Sequence, residues 1–212
     1  RTRVRQTLMS NHDFATDFVV AGSMGLMTSY RWQHDPKTVL FVLARYKFVA
    51  KMLDGYDRVL EVGCGDAFGS RLVAQTVGHL KCIDIDKQMI DSASEFDNIE
   101  YECTDNITEA DAIYALDVIE HIPHVQSREW LEELSINAPV VIIGTPSLES
   151  QPYASKFSKE NHINTMTEKQ LRELMKRYFE HVFLFGMNDE TLTTSFGPMC
   201  HYRFAIGTTP KK

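Results

Sequence analysis

The segment Val59-Leu60-Glu61-Val62-Gly63-Cys64-Gly65-Asp66-Ala67-Phe68-Gly69 restricts the folds open to this chain more than any other stretch. A short run of strand character leads into two glycines one residue apart, and then into a helix opening near Gly69. Glycine lets the backbone approach a ligand closely, and the first turn of a helix presents unpaired N–H groups. Taken alone, Gly-x-Gly fits either a dinucleotide fingerprint or a tight turn. The dinucleotide form places a third glycine three residues after the second. Here Gly69 follows Gly65 by four, and the acidic Glu61 stands two before Gly63, so the pattern departs from that form.

The chain around this segment alternates between helical and strand-like apolar patterns. Asp35-Pro36 reads as an N-cap followed by proline in the first helical position. Val39, Leu40, Val42, Leu43, Tyr46, Val49, Ala50 and Leu53 then form one apolar stripe, stopped at Asp54-Gly55. Expected next are a strand at 58–62, a helix at 69–77, a strand at 80–85, a helix near 87–94, and strands near 99–103 and 112–116. Ser127 is placed to cap a helix reaching Ile136, and 140–143 is a continuous apolar strand. Thr167-Glu168-Lys169-Gln170 has capping-box form, and Leu171, Leu174, Met175, Tyr178 and Phe179 follow on one helical face. Strands near 181–185 and 201–206 close the chain, separated by a loop, which calls for an antiparallel strand at the sheet's far end. The whole is an α/β fold with helices on both faces of the sheet. Residues 1–36 read as an N-terminal lid segment and 37–212 as a single domain, with 145–166 a second lid around the acceptor.

Composition narrows the function. Hydrophobic residues at 43% and charged residues at 24% of 212 positions are the balance of an ordinary globular domain. No apolar run nears the roughly 20 residues needed to span a bilayer, and no signal-peptide pattern follows Arg1, Arg3 and Arg5, so no membrane association and a cytoplasmic location are expected. Cys64, Cys82, Cys103 and Cys200 lack metal-cluster spacing and fit a reducing compartment. A net charge of −7, with no basic cluster away from the termini, argues against nucleic acid as a partner.

Three further segments fall at the ends of successive strands. In Cys82-Ile83-Asp84-Ile85-Asp86, Asp84 lies 19 residues after Gly65, where a carboxylate can hold a ribose diol. Either aspartate can instead cap the next helix; the reading adopted gives the cap to Asp86 and the ribose to Asp84. Cys103-Thr104-Asp105-Asn106-Ile107 ends the third strand, and Ala115-Leu116-Asp117-Val118-Ile119-Glu120-His121-Ile122-Pro123 follows the fourth.

In order and spacing, these four segments resemble the class I S-adenosylmethionine-dependent methyltransferases, most of all the small-molecule branch; the likeness is good over residues 58–145. The resemblance implies a Rossmann-like seven-stranded sheet of order 3-2-1-4-5-7-6 with strand 7 antiparallel, and S-adenosylmethionine as cofactor. It assigns cofactor binding to Glu61, Gly63, Cys64, Gly65, Asp84, Ile85, Asp105 and Leu116. The glycine segment would pass the methionine moiety, Asp84 the ribose, Ile85 and Asp105 the adenine, and the Leu116 backbone the sulfonium. Ala67 stands where many members have a third glycine.

Methyl transfer from a sulfonium needs alignment in a dry pocket, and a hydroxyl acceptor must also lose its proton. Asp117, Glu120, His121 and His162 are the catalytic candidates, with His121 alternatively a loop-fixing residue. Asp117, Glu120 and His121 stand at i, i+3 and i+4, which one helical turn would bring to a single face. With His162 they resemble the Glu-x-x-Glu-His and distant His of small-RNA 2′-O-methyltransferases, which hold a divalent ion. Here Asp replaces the first Glu and the distant His comes sooner. Trp32, His34, Tyr153 and His201 are further candidates for facing the acceptor. The expected activity is methylation of a small polar metabolite, first a sugar-type hydroxyl. Alternatives are a small-molecule N-methyltransferase and a catalytically silent cofactor-binding module.

Overall fold

The computed structural model describes residues 24–154, 156–194 and 199–211, with 156–158 known by backbone alone. Its sheet runs β3-β2-β1-β4-β5-β8-β6-β7, formed by β1 (Arg58–Val62), β2 (His79–Asp84), β3 (Ile99–Cys103), β4 (Ala112–Leu116), β5 (Val140–Pro146), β6 (Phe179–Asn188), β7 (Thr191–Thr193) and β8 (Tyr202–Pro210). The first five strands pair in parallel, and β8 inserts antiparallel between β5 and β6. That is the expected order with one strand more. Thr191-Leu192-Thr193 pairs only with the last residues of β6 and is too short to show any period in sequence.

Alternate strand residues serve opposite faces. Val59, Leu80, Cys82, Ala112 and Tyr114 pack on one side with Tyr46 and Val49 of α2 (Lys37–Met52), with Leu53 just beyond it, and with Val73 of α3 (Ser70–Ala74). Leu60, Ile83, Ile113 and Ala115 pack on the other with Leu131 and Leu134 of α5 (Gln126–Asn137) and Leu171 and Leu174 of α7 (Glu168–Met175). β4, buried at every position, sits at the centre of both layers. Each such aliphatic side chain removed from water contributes about 1.5–3 kcal/mol, so the two faces together fix the sheet whose edge carries the site.

The remaining described helices are α1 (Leu26–His34), α4 (Lys87–Asp91) and α6 (Lys156–Asn161), with 3₁₀ turns at Ile119–His121 and Leu148–Tyr153. Several ends differ from expectation. α3 stops at Ala74 because Thr76 turns its hydroxyl back to the carbonyls of Ala50 and Val73, 3.0 Å each. Ser127 does not cap α5; it lies inside that helix, and its hydroxyl donates to the His124 carbonyl at 2.9 Å. Pro36 occupies the cap position of α2, one place earlier than expected. The capping box at Thr167 is present in full. The 145–166 segment, read as a second lid, contains a 3₁₀ turn and α6, and a bridge between Ser147 and Met166 closes its ends. No described helix is long and apolar enough to cross a membrane.

Candidate active site

At the carboxyl ends of β1 and β2 the backbone folds back on itself. Gly63 and Gly65 have φ of 76° and 56°, left-handed angles that disfavour a side chain. A Cβ on Gly63 would meet Val118 Cγ2 at 2.4 Å, whereas one on Gly65 would point into open space. Asp84 ties this loop to the next: one carboxylate oxygen accepts from Gly65 N–H and the other from Asp86 N–H, both at 2.8 Å. Asp86 in turn caps α4 through Gln88 N–H, as expected of it. Ile85 is 79% exposed beside them, and Asp105 is also exposed. Cys64 and Leu116 are buried.

Glu61 corrects the expectation of direct cofactor contact. It is fully buried, and its carboxylate accepts from the hydroxyls of Tyr46 and Tyr114 at 2.7 Å each, from Ser70, and from the Cys82 thiol at 3.4 Å. Burial pushes its pKa up, and the hydrogen bonds from Ser70, Tyr46, Tyr114 and Cys82 pull it partly back. Glu61 therefore holds the glycine loop from beneath, joining β1 to α2, α3 and β4.

The opposite side of the loop receives α1. Asp66 is buried and takes the place of a side-chain cap for this helix: it accepts from Thr28 N–H at 2.6 Å and from Thr28 Oγ1 at 3.1 Å. The approach is close enough that a Cβ on Gly25 would meet Asp66 Cβ at 2.4 Å. Residues 24–36 of the expected lid thus rest on the residue that follows Gly65; residues 1–23 lie outside the described residues. Asp66→Ala should weaken the docking of α1 by about 0.5–2 kcal/mol, the range for losing a helix cap. Hydrogen exchange should quicken over 26–34 while β4 stays protected, and unchanged exchange in α1 would contradict this role.

A second group gathers beyond β4. Asp117 has φ of 57°, donates its N–H to the Gly144 carbonyl at 2.9 Å, and pairs through Oδ2 with Arg45 Nη1 at 2.6 Å. It does not share a helical face with Glu120 and His121, because the left-handed step turns the chain before the 3₁₀ turn begins. Glu120 is fully buried; Oε2 accepts from Thr145 Oγ1 at 3.0 Å, and Oε1 has no partner. Burial, and next the negative Asp117, push its pKa well up. Asn164 delivers the distant segment, donating its N–H to the Glu120 carbonyl at 3.0 Å and its side-chain amide to Ile119 O at 3.2 Å. His121 and His162 then meet with ring centroids 5.0 Å apart, and Glu120, His121 and His162 place ligand-type atoms within 4.8 Å of one another. Burial, then the neighbouring His121, lower the pKa of His162.

Three of the four residues singled out here in sequence therefore converge, and Asp117 goes to Arg45. Arg45 and Tyr202 were missed: the Arg45 guanidinium carbon lies 3.9 Å from the Tyr202 ring centroid. The available signals were a charge within the apolar run of α2 and another, Arg203, inside β8. Arg203 is fully buried, donating to Glu149 at 2.6 Å and to the Met166 carbonyl at 2.9 Å, and so secures both ends of the 147–166 excursion. Tyr153 and Trp32 are exposed, His201 is exposed in the turn before β8, and His34 stacks on Tyr30; none of the four shows a contact with the Glu120 group. Lys156 and Phe157, also within the excursion, have side chains outside the described residues.

A 3-2-1-4-5 parallel sheet with a glycine turn after β1 and an acidic residue ending β2 defines a Rossmann-like fold built to hold a nucleoside cofactor at its carboxyl edge. The chain belongs to the methyltransferase-domain family, whose model matches residues 32–178, and it is a class I S-adenosylmethionine-dependent methyltransferase. No curated protein sequence matches it. Among solved structures, the methyltransferase domain of bacterial CtHen1 is similar over 81% of this chain and 100% of that one, with 16% identity and a TM-score of 0.66. The N-methyltransferase NodS from Bradyrhizobium japonicum WM9, solved with S-adenosyl-L-homocysteine, is 13% identical over 89% and 95% of the two chains, TM-score 0.63. Magnesium protoporphyrin IX methyltransferase from Synechocystis PCC 6803 is 17% identical over 82% and 83%, TM-score 0.60.

Proposed function

We propose that this enzyme methylates a hydroxyl on a small, polar, sugar-type acceptor, working in the reducing cytoplasm. The observation that carries the reading is the pairing of a depressed-pKa His162 with the buried Glu120 and His121 beyond β4, where the methyl donor's sulfonium would lie. A hydroxyl oxygen attacks the methyl carbon, the carbon–sulfur bond breaks, and its electron pair neutralises the sulfonium. The hydroxyl proton must leave in the same event, and a neutral imidazole accepts it. His162 is the base in this reading, and His121, Glu120 and Asp117 shape its surroundings. Gly63, Cys64 and Gly65 hold the methionine end, Asp84 the ribose, Ile85 and Asp105 the adenine, and the Leu116 backbone the sulfonium side, with Glu61 supporting the loop from below.

One observation favours a second reading of the same residues. The unpartnered Oε1 of Glu120 is a buried acceptor that lacks a donor, next to two imidazoles. On giving up the proton that burial favours, the Glu120 carboxylate and the two imidazoles would suit a divalent cation such as Mn²⁺ or Mg²⁺, which when bound would make an acceptor hydroxyl more acidic. Asp117, the expected fourth ligand, is engaged by Arg45.

Methyl-labelled S-adenosylmethionine should be tested with neutral sugars, nucleosides, short RNAs and small amines, with and without chelator. Label is expected in the sugar or nucleoside arm and in hydroxyl positions, falling at least tenfold in His162→Ala with cofactor affinity kept. Loss on chelation, restored by Mn²⁺ or Mg²⁺, selects the second reading. Label only in amines, or only in RNA, would overturn the acceptor assignment, and no transfer to any class would point to a silent cofactor-binding module.

A further inference from the structure

Asp117 borders the His162 base but neither takes the acceptor's proton nor joins the Glu120, His121 and His162 group, so its pairing with Arg45 calls for a task of its own. Arg45 comes from the middle of α2 and Asp117 from the residue after β4, 72 positions apart. The guanidinium carbon sits over the Tyr202 ring, 3.9 Å from its centroid, and Tyr202 is itself 2% exposed. Asp117 is held by its own N–H on Gly144 and by a single bond from Arg45 Nη1 to Oδ2. Both side chains keep access to solvent, at 21% and 30%. Among the described residues, nothing engages Oδ1 of Asp117 or the other N–H groups of Arg45.

We propose that this pair is the subsite that grips the acceptor, and that its ligand is an uncharged vicinal diol. The proposal rests on the hydroxyl-acceptor reading above and deepens it. Side by side at fixed separation, the pair offers one acceptor oxygen and several N–H donors. A hydroxyl both donates and accepts, so two neighbouring hydroxyls satisfy such a pair at once: one donates to Asp117 Oδ1 while the other accepts from Arg45. Opposite unit charges 2.6 Å apart cancel at a distance. A carboxylate or phosphate arriving at Arg45 would be repelled by Asp117, and an ammonium arriving at Asp117 would be repelled by Arg45. Lysine would serve poorly at position 45, since it lacks the planar fork that both sits over the ring and keeps further donors free. Because both side chains are anchored before the ligand arrives, little further ordering is needed on binding.

The test uses protein saturated with S-adenosylhomocysteine, and methyl hexopyranosides as probes: one set with free vicinal hydroxyls, one with one of the two replaced by hydrogen, one bearing a carboxylate or phosphate. Ligand-observed NMR should show the neutral diols binding at least tenfold more tightly than the deoxy or charged sets. Arg45→Met and Asp117→Asn should each abolish that preference, with S-adenosylhomocysteine affinity within twofold of wild type. Arg45→Lys, which keeps charge and most of the volume, should also lose it, and covers the case in which Arg45→Met fails to fold. Equal binding of diol and deoxy glycosides, tighter binding of the anionic set, no glycoside binding at all, or unaltered preference in the variants would each overturn the subsite. Failure of the parent reading looks different: methyl transfer would then be found on an acceptor without hydroxyls.

Discussion

Asp84→Ala is expected to weaken S-adenosylmethionine binding 10- to 100-fold while the sheet stays folded. Both oxygens of this carboxylate are already at work in the free protein, one on Gly65 N–H and one on Asp86 N–H at 2.8 Å. Removing them unties the glycine loop from the end of β2 and also takes away the group assigned to the ribose. Hydrogen bonds to a charged acceptor contribute about 1.5–3 kcal/mol, and a tenfold change in affinity is about 1.4 kcal/mol. Asp84→Asn should fall between alanine and wild type, because an amide keeps one acceptor oxygen and turns the other into a donor facing an N–H. Calorimetry with S-adenosylhomocysteine and circular dichroism on the same samples checks both. Wild-type affinity in the alanine variant would remove Asp84 from the cofactor site.

What could be read from sequence about this region was local chemistry. Glycine spacing, the aspartate as N-cap of α4 and the capping box at Thr167 depend on neighbours within a few residues, and the structure contains all three. The parallel order also follows from local pattern, since strand–helix alternation leaves few arrangements for the connections. Illegible were bonds between distant positions. Glu61 looked like a ligand because it precedes Gly63; its burial depends on hydroxyls from residues 46, 70 and 114 arriving together. Arg203 and Glu149 meet across 54 positions, and Arg45 and Asp117 across 72. Asp117 was misplaced for a different reason: the i, i+3, i+4 rule assumes continuous helix, and a single left-handed residue breaks that assumption. Such a conformation costs on the order of 1 kcal/mol for a residue other than glycine, and it is retained where surrounding bonds enforce it.

Glu120→Gln should lower turnover at least 100-fold and at the same time raise thermal stability above pH 5. The loss follows from replacing the only carboxylate in the Glu120, His121 and His162 group, whether it orients the imidazoles or holds a cation; acid–base groups of this kind contribute roughly 10²- to 10⁴-fold. The gain follows from linkage. The folded-state pKa of Glu120 lies well above its ordinary 4.5, mainly through burial, so the folded protein keeps a proton that the unfolded chain releases. Its contribution to stability is complete below pH 4.5 and is lost as pH rises through the folded pKa, at up to about 1.4 kcal/mol per pH unit. Glutamine does not ionise and suffers no such loss. Glu61, raised in the same direction, and His162, lowered by burial, titrate in both proteins, so the difference in melting temperature isolates Glu120. That difference should widen from about pH 4.5 upward and level off where the folded Glu120 finally ionises. A stability gain bought with activity is the pattern of a group kept for function against the interest of the fold. A pH-independent difference would mean that Glu120 ionises normally, and full turnover in the glutamine variant would move the chemistry to His162 and its neighbours alone.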